Sequence, residues 1–300
     1  SADSNFISEE KIKSNILNIF IFYTVLSFIF FVLLSFSEIR LFNSLNLSMT
    51  IVGGGGFLPS DTLKDIIKTN FQKFTLIIVL TLSMLNFYLI FNLFNKKTLL
   101  KYHKEDFYLL ILSLILVLLV FFDSSDILNI IVAVLSSLAN SGITLLNGDS
   151  NLSLYFLLIT VIGGSLISNT SGIKLARLYI LLKITSSEII KLISPNSIIN
   201  RTIFNSENKI SDENTKISFL IFISFFLSLF ILSSLLVIDN IGFERSFKLS
   251  ILTLTNTVNS EMYSLQNFNF ANLLTSSKTS LIIFMIIGKI ELISVFLIFK

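Results

Sequence analysis

The sequence contains no cysteine, which excludes a disulfide scaffold and a thiolate metal centre and leaves no record of redox compartment. It contains one histidine, His103, too few for a multi-histidine metal site; within the lysine-rich stretch NKKTLLKYHKED it reads as a solvated surface residue. Proline occurs only at Pro59 and Pro195, so no long apolar run is broken by it. Charge is scarce as well: 14% of residues are Asp, Glu, Lys or Arg, where soluble domains carry roughly 25%. The net charge of +3 over 300 residues gives no nucleic-acid signature, and no nucleic-acid partner is expected. The chain opens SADSN, with neither an initiator methionine nor the short apolar core of a signal peptide. A processed chain, or a piece of a longer one, is therefore expected.

What fills the sequence is apolar: 53% of it is hydrophobic. Runs of about 20 apolar residues recur, the length a helix needs to cross a bilayer. Six spans are expected: Ile16 to Phe36, Phe74 to Phe94, Phe107 to Phe122, Leu152 to Leu182 with an interruption, Ile217 to Ile238, and Ser280 to Phe299. Three of the connections carry an apolar stretch too short to span, at Leu41–Val52, Ile127–Thr144 and Phe243–Ser260. Short apolar segments between spans are candidates for re-entry, and non-helical backbone at membrane depth is tolerated only inside protein or along a watery cavity. The layout of span, short helix, span, three times over, predicts an all-α membrane fold of pore-helix units in residues 1–98, 99–200 and 201–300. Lysines 11, 13, 96, 97, 101 and 104, and the basic residues from Lys183 to Lys216, place the N-terminus in the cytoplasm by the positive-inside rule. The middle outer connection has only Asp123, Asp126 and Asp149, which suits either a cation-collecting mouth or simple outside-loop bias.

Three stretches could carry chemistry. Thr50-Ile-Val-Gly-Gly-Gly-Gly-Phe57 holds four of the eleven glycines. It lacks the strand and the spacing of a nucleotide-binding loop. A flexible connector and a carbonyl-lined ion filter both fit it, and its place at the tip of a re-entrant helix favours the filter. Gly163 to Arg177, GGSLISNTSGIKLAR, breaks the fourth span with polar residues, so Lys174 and Arg177 must face protein or water, or snorkel to the inner interface. Lys289 and Glu291 form the only acid–base doublet within an apolar run; two residues apart on a helix, they do not face each other. An interhelical ion pair is the alternative role for one of them.

These motifs, in this order, resemble the Trk/Ktr/HKT superfamily of potassium transporters, and within it the TrkH type of membrane subunit. The family has four pseudo-repeats, each a helix, a re-entrant pore helix with filter loop, and a second helix. SMTIVGGGGFLPSD resembles its second filter, SLANSGITLLNGD its third, GGSLISNTSGIK its polar intramembrane stretch, and GKIE, Gly288 to Glu291, the Gly-Arg-Leu-Glu of its last helix. The resemblance covers nearly the whole chain, as repeats two to four. It assigns filter walls to Val52, Gly53, Gly54, Gly55 and Gly56; to Ala139, Asn140, Ser141, Gly142 and Ile143; and to Thr257, Val258 and Asn259. It assigns gating to a loop with Gly163, Gly164, Ser165, Ser168, Asn169, Thr170, Ser171 and Gly172, ending at Lys174, and to Lys289 and Glu291, with Lys289 in place of a pore-facing arginine. Val258 stands where the family's fourth filter has glycine, and the first repeat is absent.

The resemblance implies uptake of K⁺, with Na⁺ as a further permeant ion, through filter carbonyls without a fixed metal cluster or cofactor. It also implies a bacterial inner (plasma) membrane location, a homodimer, and a cytosolic nucleotide-binding regulator of the TrkA type. The residues keep two other readings open: a secondary carrier with broken helices at its substrate site, and a non-conducting fragment or degenerate paralogue. An enzyme is not expected, since no span holds His, Cys or paired carboxylates.

Overall fold

The computed structural model describes residues 20–21, 23–60, 62–86, 89, 103–121, 126–146, 152–194, 202–205, 210–257, 261–265, 268 and 270–289. Among these the chain is helical, with no strand. In chain order the helices are α1 (Tyr23–Phe36), α2 (Leu41–Gly53), α3 (Asn70–Met84), α4 (Lys104–Val120), α5 (Ile127–Leu138), α6 (Ser153–Ile162), α7 (Leu175–Ile193), α8 (Asp212–Ile238), α9 (Phe243–Leu254) and α10 (Thr275–Lys289).

Local sequence explains where they begin. At α3, Thr69 and Gln72 cap reciprocally: the Gln72 N–H donates to Thr69 Oγ1 at 3.3 Å, and Gln72 Oε1 accepts from the Thr69 N–H at 3.1 Å. At α8, Ser211 Oγ accepts from the Asn214 N–H, and Asp212 and Glu213 sit in the positive first turn. α8 has 27 residues and is, among the described residues, the one helix long and apolar enough to cross a membrane by itself. It buries Ile221, Phe225, Leu229, Leu232 and Leu236 and exposes Phe219, Leu220, Phe226, Leu227 and Phe230. A helix apolar on every side suits protein on one face and lipid on the other. Its serines turn inward on their own helix: the hydroxyls of Ser224, Ser228 and Ser234 donate to carbonyls three or four residues back.

The short helices lie inside the assembly. α5 packs against α3, α4 and α6, and Ile130 and every residue from Val132 to Leu138 are buried. α9 packs against α8, α10 and α6, while α2 packs against α3. The corner leading into α2 and that leading into α9 share a geometry. Glu38 (φ 62°) and Asn240 (φ 64°) each turn left-handed at the end of the preceding helix, and buried Ser44 and Ser246 then donate to the carbonyls of Ile39 and Ile241. The described parts of the expected spans fall largely on helices; residues 16–19, 22, 87–88, 90–94, 122 and 290–299 of those spans lie outside the described residues. The second differs in one respect: α3 stops at Met84, and Leu85 is extended (ψ 165°).

Asp239 ties the end of α8 to the start of α10, accepting from the hydroxyls of Ser276, at 2.7 Å, and Ser277. These hydroxyls hold its carboxyl below the ordinary aspartate range. A depressed folded pKa stabilises above the unfolded value of about 3.9 and loses that contribution as pH falls through the folded value. Asp239→Asn is therefore expected to lower the melting temperature in detergent at about pH 7 and to converge with the parent protein at acidic pH. A difference that persists unchanged across the titration would show that the carboxylate does not make the tie.

Candidate functional site

Three turns follow the short helices, and they are built alike. After α2, Gly54 (φ 63°) donates its N–H to the Ile51 carbonyl and Gly55 to that of Thr50. After α5, Asn140 (φ 55°) donates to Ser137 and Ser141 to Ser136. After α9, Asn256 (φ 50°) donates to Thr253 and Thr257 to Leu252. Each is a left-handed C-terminal cap whose bonds reach three and then five residues back, closing carbonyls the helix leaves open. Gly54, Asn140 and Asn256 are thus equivalent, as are Gly55, Ser141 and Thr257. The next position holds Gly56 (φ 66°) in the first turn and Gly142 (φ 69°) in the second. In the third it holds Val258, which with Asn259 lies outside the described residues.

Side chains fix these turns. Thr50 Oγ1 donates to the Phe57 carbonyl at 2.8 Å, bracing the glycine run from its own helix. Asn140 Nδ2 donates to the Thr160 carbonyl at 2.8 Å and reaches Thr257 Oγ1 at 3.5 Å, joining the second turn to α6 and to the third. Val52 and Gly53 lie in the last turn of α2, Ala139 caps α5, and buried Ile143 continues from Gly142 into the core.

Between α6 and α7 the span is open, as the sequence predicts. The Ile173 and Lys174 N–H groups donate to the Val161 and Ile162 carbonyls, both at 3.0 Å, so the chain rejoins itself where it left. Residues 163–172 form the closed loop. Gly163 (φ 68°, ψ −169°) begins it, and a Cβ there would collide with the Ser171 carbonyl oxygen. A Cβ on Gly164 would lie 2.6 Å from the Met84 carbonyl oxygen, and a Cβ on Gly172 2.8 Å from that of Val161. Within the loop Gly164 N–H donates to Thr170 Oγ1, and the Ser168 hydroxyl bonds the Ser165 carbonyl. The Ser165 N–H donates to the Met84 carbonyl at 3.0 Å, which explains the stop in α3: that carbonyl is spent on the loop.

Lys174 does not snorkel to an interface. It is buried, and its ammonium donates to the Thr170 carbonyl, to Thr170 Oγ1 at 3.0 Å and to the Ser168 carbonyl at 3.2 Å. The helix after the loop begins at Leu175. Lys289, at the end of α10, donates to the Asn169 carbonyl at 2.9 Å and the Gly53 carbonyl at 3.1 Å, so one side chain touches loop and first turn together. Glu291 lies outside the described residues. One residue before Lys289, Gly288 lets α10 approach the end of α9 so closely that a Cβ would overlap the Leu254 carbonyl. A cavity of about 130 Å³ lies among these groups, lined by Tyr23, Asn169, Ser171, Lys174, Arg177 and Lys289 with their neighbours.

Several partners escape the sequence. Tyr23 on α1 donates its hydroxyl to Asn169 Oδ1 at 2.5 Å, across 146 residues of chain. The only available signal is a polar tip on an aromatic residue within an apolar run. His103 is not solvated: it is 3% exposed, and its Nδ1 lies 3.1 Å from Asp106 Oδ2. Buried Asp106 also accepts from the Asn86 N–H beyond the α3 stop, and Glu105 Oε1 accepts from the Leu166 N–H of the loop. Glu105, in the KED of NKKTLLKYHKED, thus braces the loop, while Asp106 holds the segment after α3.

No protein-family model matches the chain. Its fold superposes on the crystal structure of the potassium transporter TrkH from Vibrio parahaemolyticus with a TM-score of 0.85 at 17% identity, over 97% of this chain and 65% of that one. It therefore has the fold of a TrkH-type transporter, an all-helical membrane architecture. In sequence, it is 27% identical over 187 residues to an uncharacterized cation transporter of Methanocaldococcus jannaschii, an alignment covering 60% of this chain and 38% of that protein. The chain thus spans less than two thirds of either relative.

The glycines separate by role. Gly163 occupies a backbone region that is essentially glycine-only, where another residue costs of order 1–3 kcal/mol before any collision. Gly53 is the last residue of α2, with open space around its Cα. Gly163→Ala is expected to lower stability by at least that amount, whereas Gly53→Ala should leave it unchanged or raise it by up to about 1 kcal/mol. Thermal melts of the two variants in detergent check this; equal effects would refute the loop geometry.

Proposed function

We propose that this chain forms three helix–pore-helix–helix units, 1–98, 99–200 and 201–300, of a membrane subunit for uptake of monovalent cations, K⁺ foremost. The observation that carries this reading is the common register of the three left-handed turns within a TrkH-type fold. A turn of this kind ends a short helix in successive backbone carbonyls, and rings of carbonyls can replace an ion's hydration shell. Gly56 and Gly142 supply two walls, and Val258 holds the equivalent place in a third. The loop from Gly163 to Gly172 and the Lys289 ammonium act beneath them as steric and electrostatic barriers to passage. The large apolar residues exposed on α1, α4 and α8 support a bilayer setting, and the lysine distribution supports an N-terminus on the cytoplasmic side of the plasma membrane. A homodimer and a TrkA-like cytosolic regulator belong to the same reading, by likeness. No enzymatic role is proposed. A broken-helix carrier would need the α6–α7 break alone; three equivalent turns favour the filter.

The experiment is uptake of Rb⁺ into liposomes containing the full-length protein. Gly56→Ala and Gly142→Ala are each expected to cut flux by tenfold or more, about 1.4 kcal/mol of added barrier. Absence of flux in the parent would sink the transport reading, and flux indifferent to both substitutions would sink the filter assignment alone.

A further inference from the structure

The left-handed position of each turn is where that turn is tied to its surroundings, and the ties differ. In the first turn the position is Gly54; a Cβ there would lie 3.4 Å from Lys289 Nζ, which holds the neighbouring Gly53 carbonyl. In the third it is Asn256, whose amide donates to the Met285 carbonyl of α10 at 2.8 Å. In the second it is Asn140, buried, whose amide serves two partners at once. One Nδ2 proton goes to the Thr160 carbonyl at 2.8 Å, and the other reaches Thr257 Oγ1 at 3.5 Å. The Thr160 carbonyl can only accept, which fixes the donor end of the amide. The bonds continue beyond it. Thr255 Oγ1 donates to the Ile251 carbonyl at 2.9 Å, so its oxygen is open to accept from Thr257 Oγ1, 2.9 Å away. Each hydroxyl has one proton, and the direction Asn140 to Thr257 to Thr255 to Ile251 gives each of these protons a partner. On its other side the amide meets the loop. A Cβ on Gly163 would lie 3.6 Å from Asn140 Oδ1, and one on Gly172 3.0 Å from the Thr160 carbonyl oxygen that the amide holds. One amide thus lies between two turns and the closure of the loop.

We propose, resting on the filter reading of these turns, that Asn140 is a specificity-determining positioning residue: its amide sets the separation of the second and third turns, and with it the discrimination between monovalent cations of different radius. A ring of carbonyls prefers one ion over another through the size of the cage and the number and field of its dipoles. All of these depend on how the turns are held from behind. The two amide protons are directed at Thr160 and Thr257, so the side chain acts through the carbonyls of its own turn and, by way of Thr257, through those of the next. A mere anchor would change stability alone, whereas a positioning residue changes the ratio of affinities for two ions.

The test is binding rather than flux, with the full-length protein in detergent. Circular-dichroism melts in increasing RbCl or NaCl, at an ionic strength held constant with N-methyl-D-glucamine chloride, give an apparent dissociation constant for each cation. The parent should bind Rb⁺ more tightly than Na⁺. Asn140→Gly keeps the left-handed backbone, as Gly54 does in the first turn, and should shrink the ratio of the two constants by about tenfold or more. Thr257→Val exchanges only a hydroxyl for a methyl and should shrink the ratio by a smaller factor. Thr257→Ser keeps the hydroxyl and should retain more of the ratio than Thr257→Val does. Asp239→Asn, at the tie between α8 and α10, should lower stability and leave the ratio unchanged. If Asn140→Gly yields no folded species, the two Thr257 variants decide alone. Equal constants for Rb⁺ and Na⁺ in the parent overturn the proposal. So does a parent ratio retained in either Asn140→Gly or Thr257→Val, or a ratio that Asp239→Asn alters as much as they do. Discrimination that falls with both variants, in a protein that passes no Rb⁺ into liposomes, supports the proposal while sinking the transport reading, so the two can fail separately.

Discussion

A helix that stops inside an apolar medium leaves four carbonyls without partners, and water is not there to take them. That constraint organises this molecule more than any single contact. α2, α5 and α9 each end within the assembly, and each resolves the problem by turning left-handed and folding two N–H groups back onto the helix. α3 resolves it differently, giving its Met84 carbonyl to the loop between α6 and α7. α6 gives the carbonyls of Val161 and Ile162 to the chain's own return. The polar features of the centre are thus the ends of apolar helices.

Positive charge at this centre follows from the same cause. A helix C-terminus carries a partial negative charge, and an ammonium is a flexible donor with three protons and no acceptor. Lys289 meets the last carbonyl of α2, while Lys174 meets the carbonyls of the loop that precedes it. Acids hold the same region: Glu105 accepts from the loop and Asp106 from the segment beyond α3. Glu105 and the two lysines therefore hold the same loop, each through its backbone groups.

Much of this architecture is legible in the sequence because it rests on local signals. Apolar run length places the spans, and the polar string from Gly163 to Gly172 marks the break. The glycines at 54, 56 and 142 mark positions where φ is positive. Asn140 and Asn256 occupy the same left-handed position as Gly54, and asparagine tolerates that region better than most residues. The repeat is written partly in letters too: Ser44, Leu47 and Ser48 of α2 have buried counterparts in Ser246, Leu249 and Ser250 of α9. What stays hidden is whatever depends on distant partners. His103 sits among lysines in the sequence yet is buried, because Asp106, one helical turn on, gives it a partner. Tyr23 and Asn169 carry no local mark of each other, and neither do Asn140 and Thr257. Local pattern reports where a chain must bend; only the assembled fold reports which polar groups the bends bring together.

The way the loop between α6 and α7 is tied has a consequence for variation. Its two ends are hydrogen-bonded to one another, Val161 to Ile173 and Ile162 to Lys174, so the flanking helices meet as though the intervening residues had been cut out. The closure sets the spacing of α6 and α7, while the loop's interior is held separately by Tyr23, Met84, Glu105 and Lys289. Substitutions between Ser165 and Ser171 can alter what occupies the centre of the protein while leaving the scaffold's spacing untouched. The glycine at the loop's entrance, where a Cβ would meet the Ser171 carbonyl, lets the chain leave and return at one point.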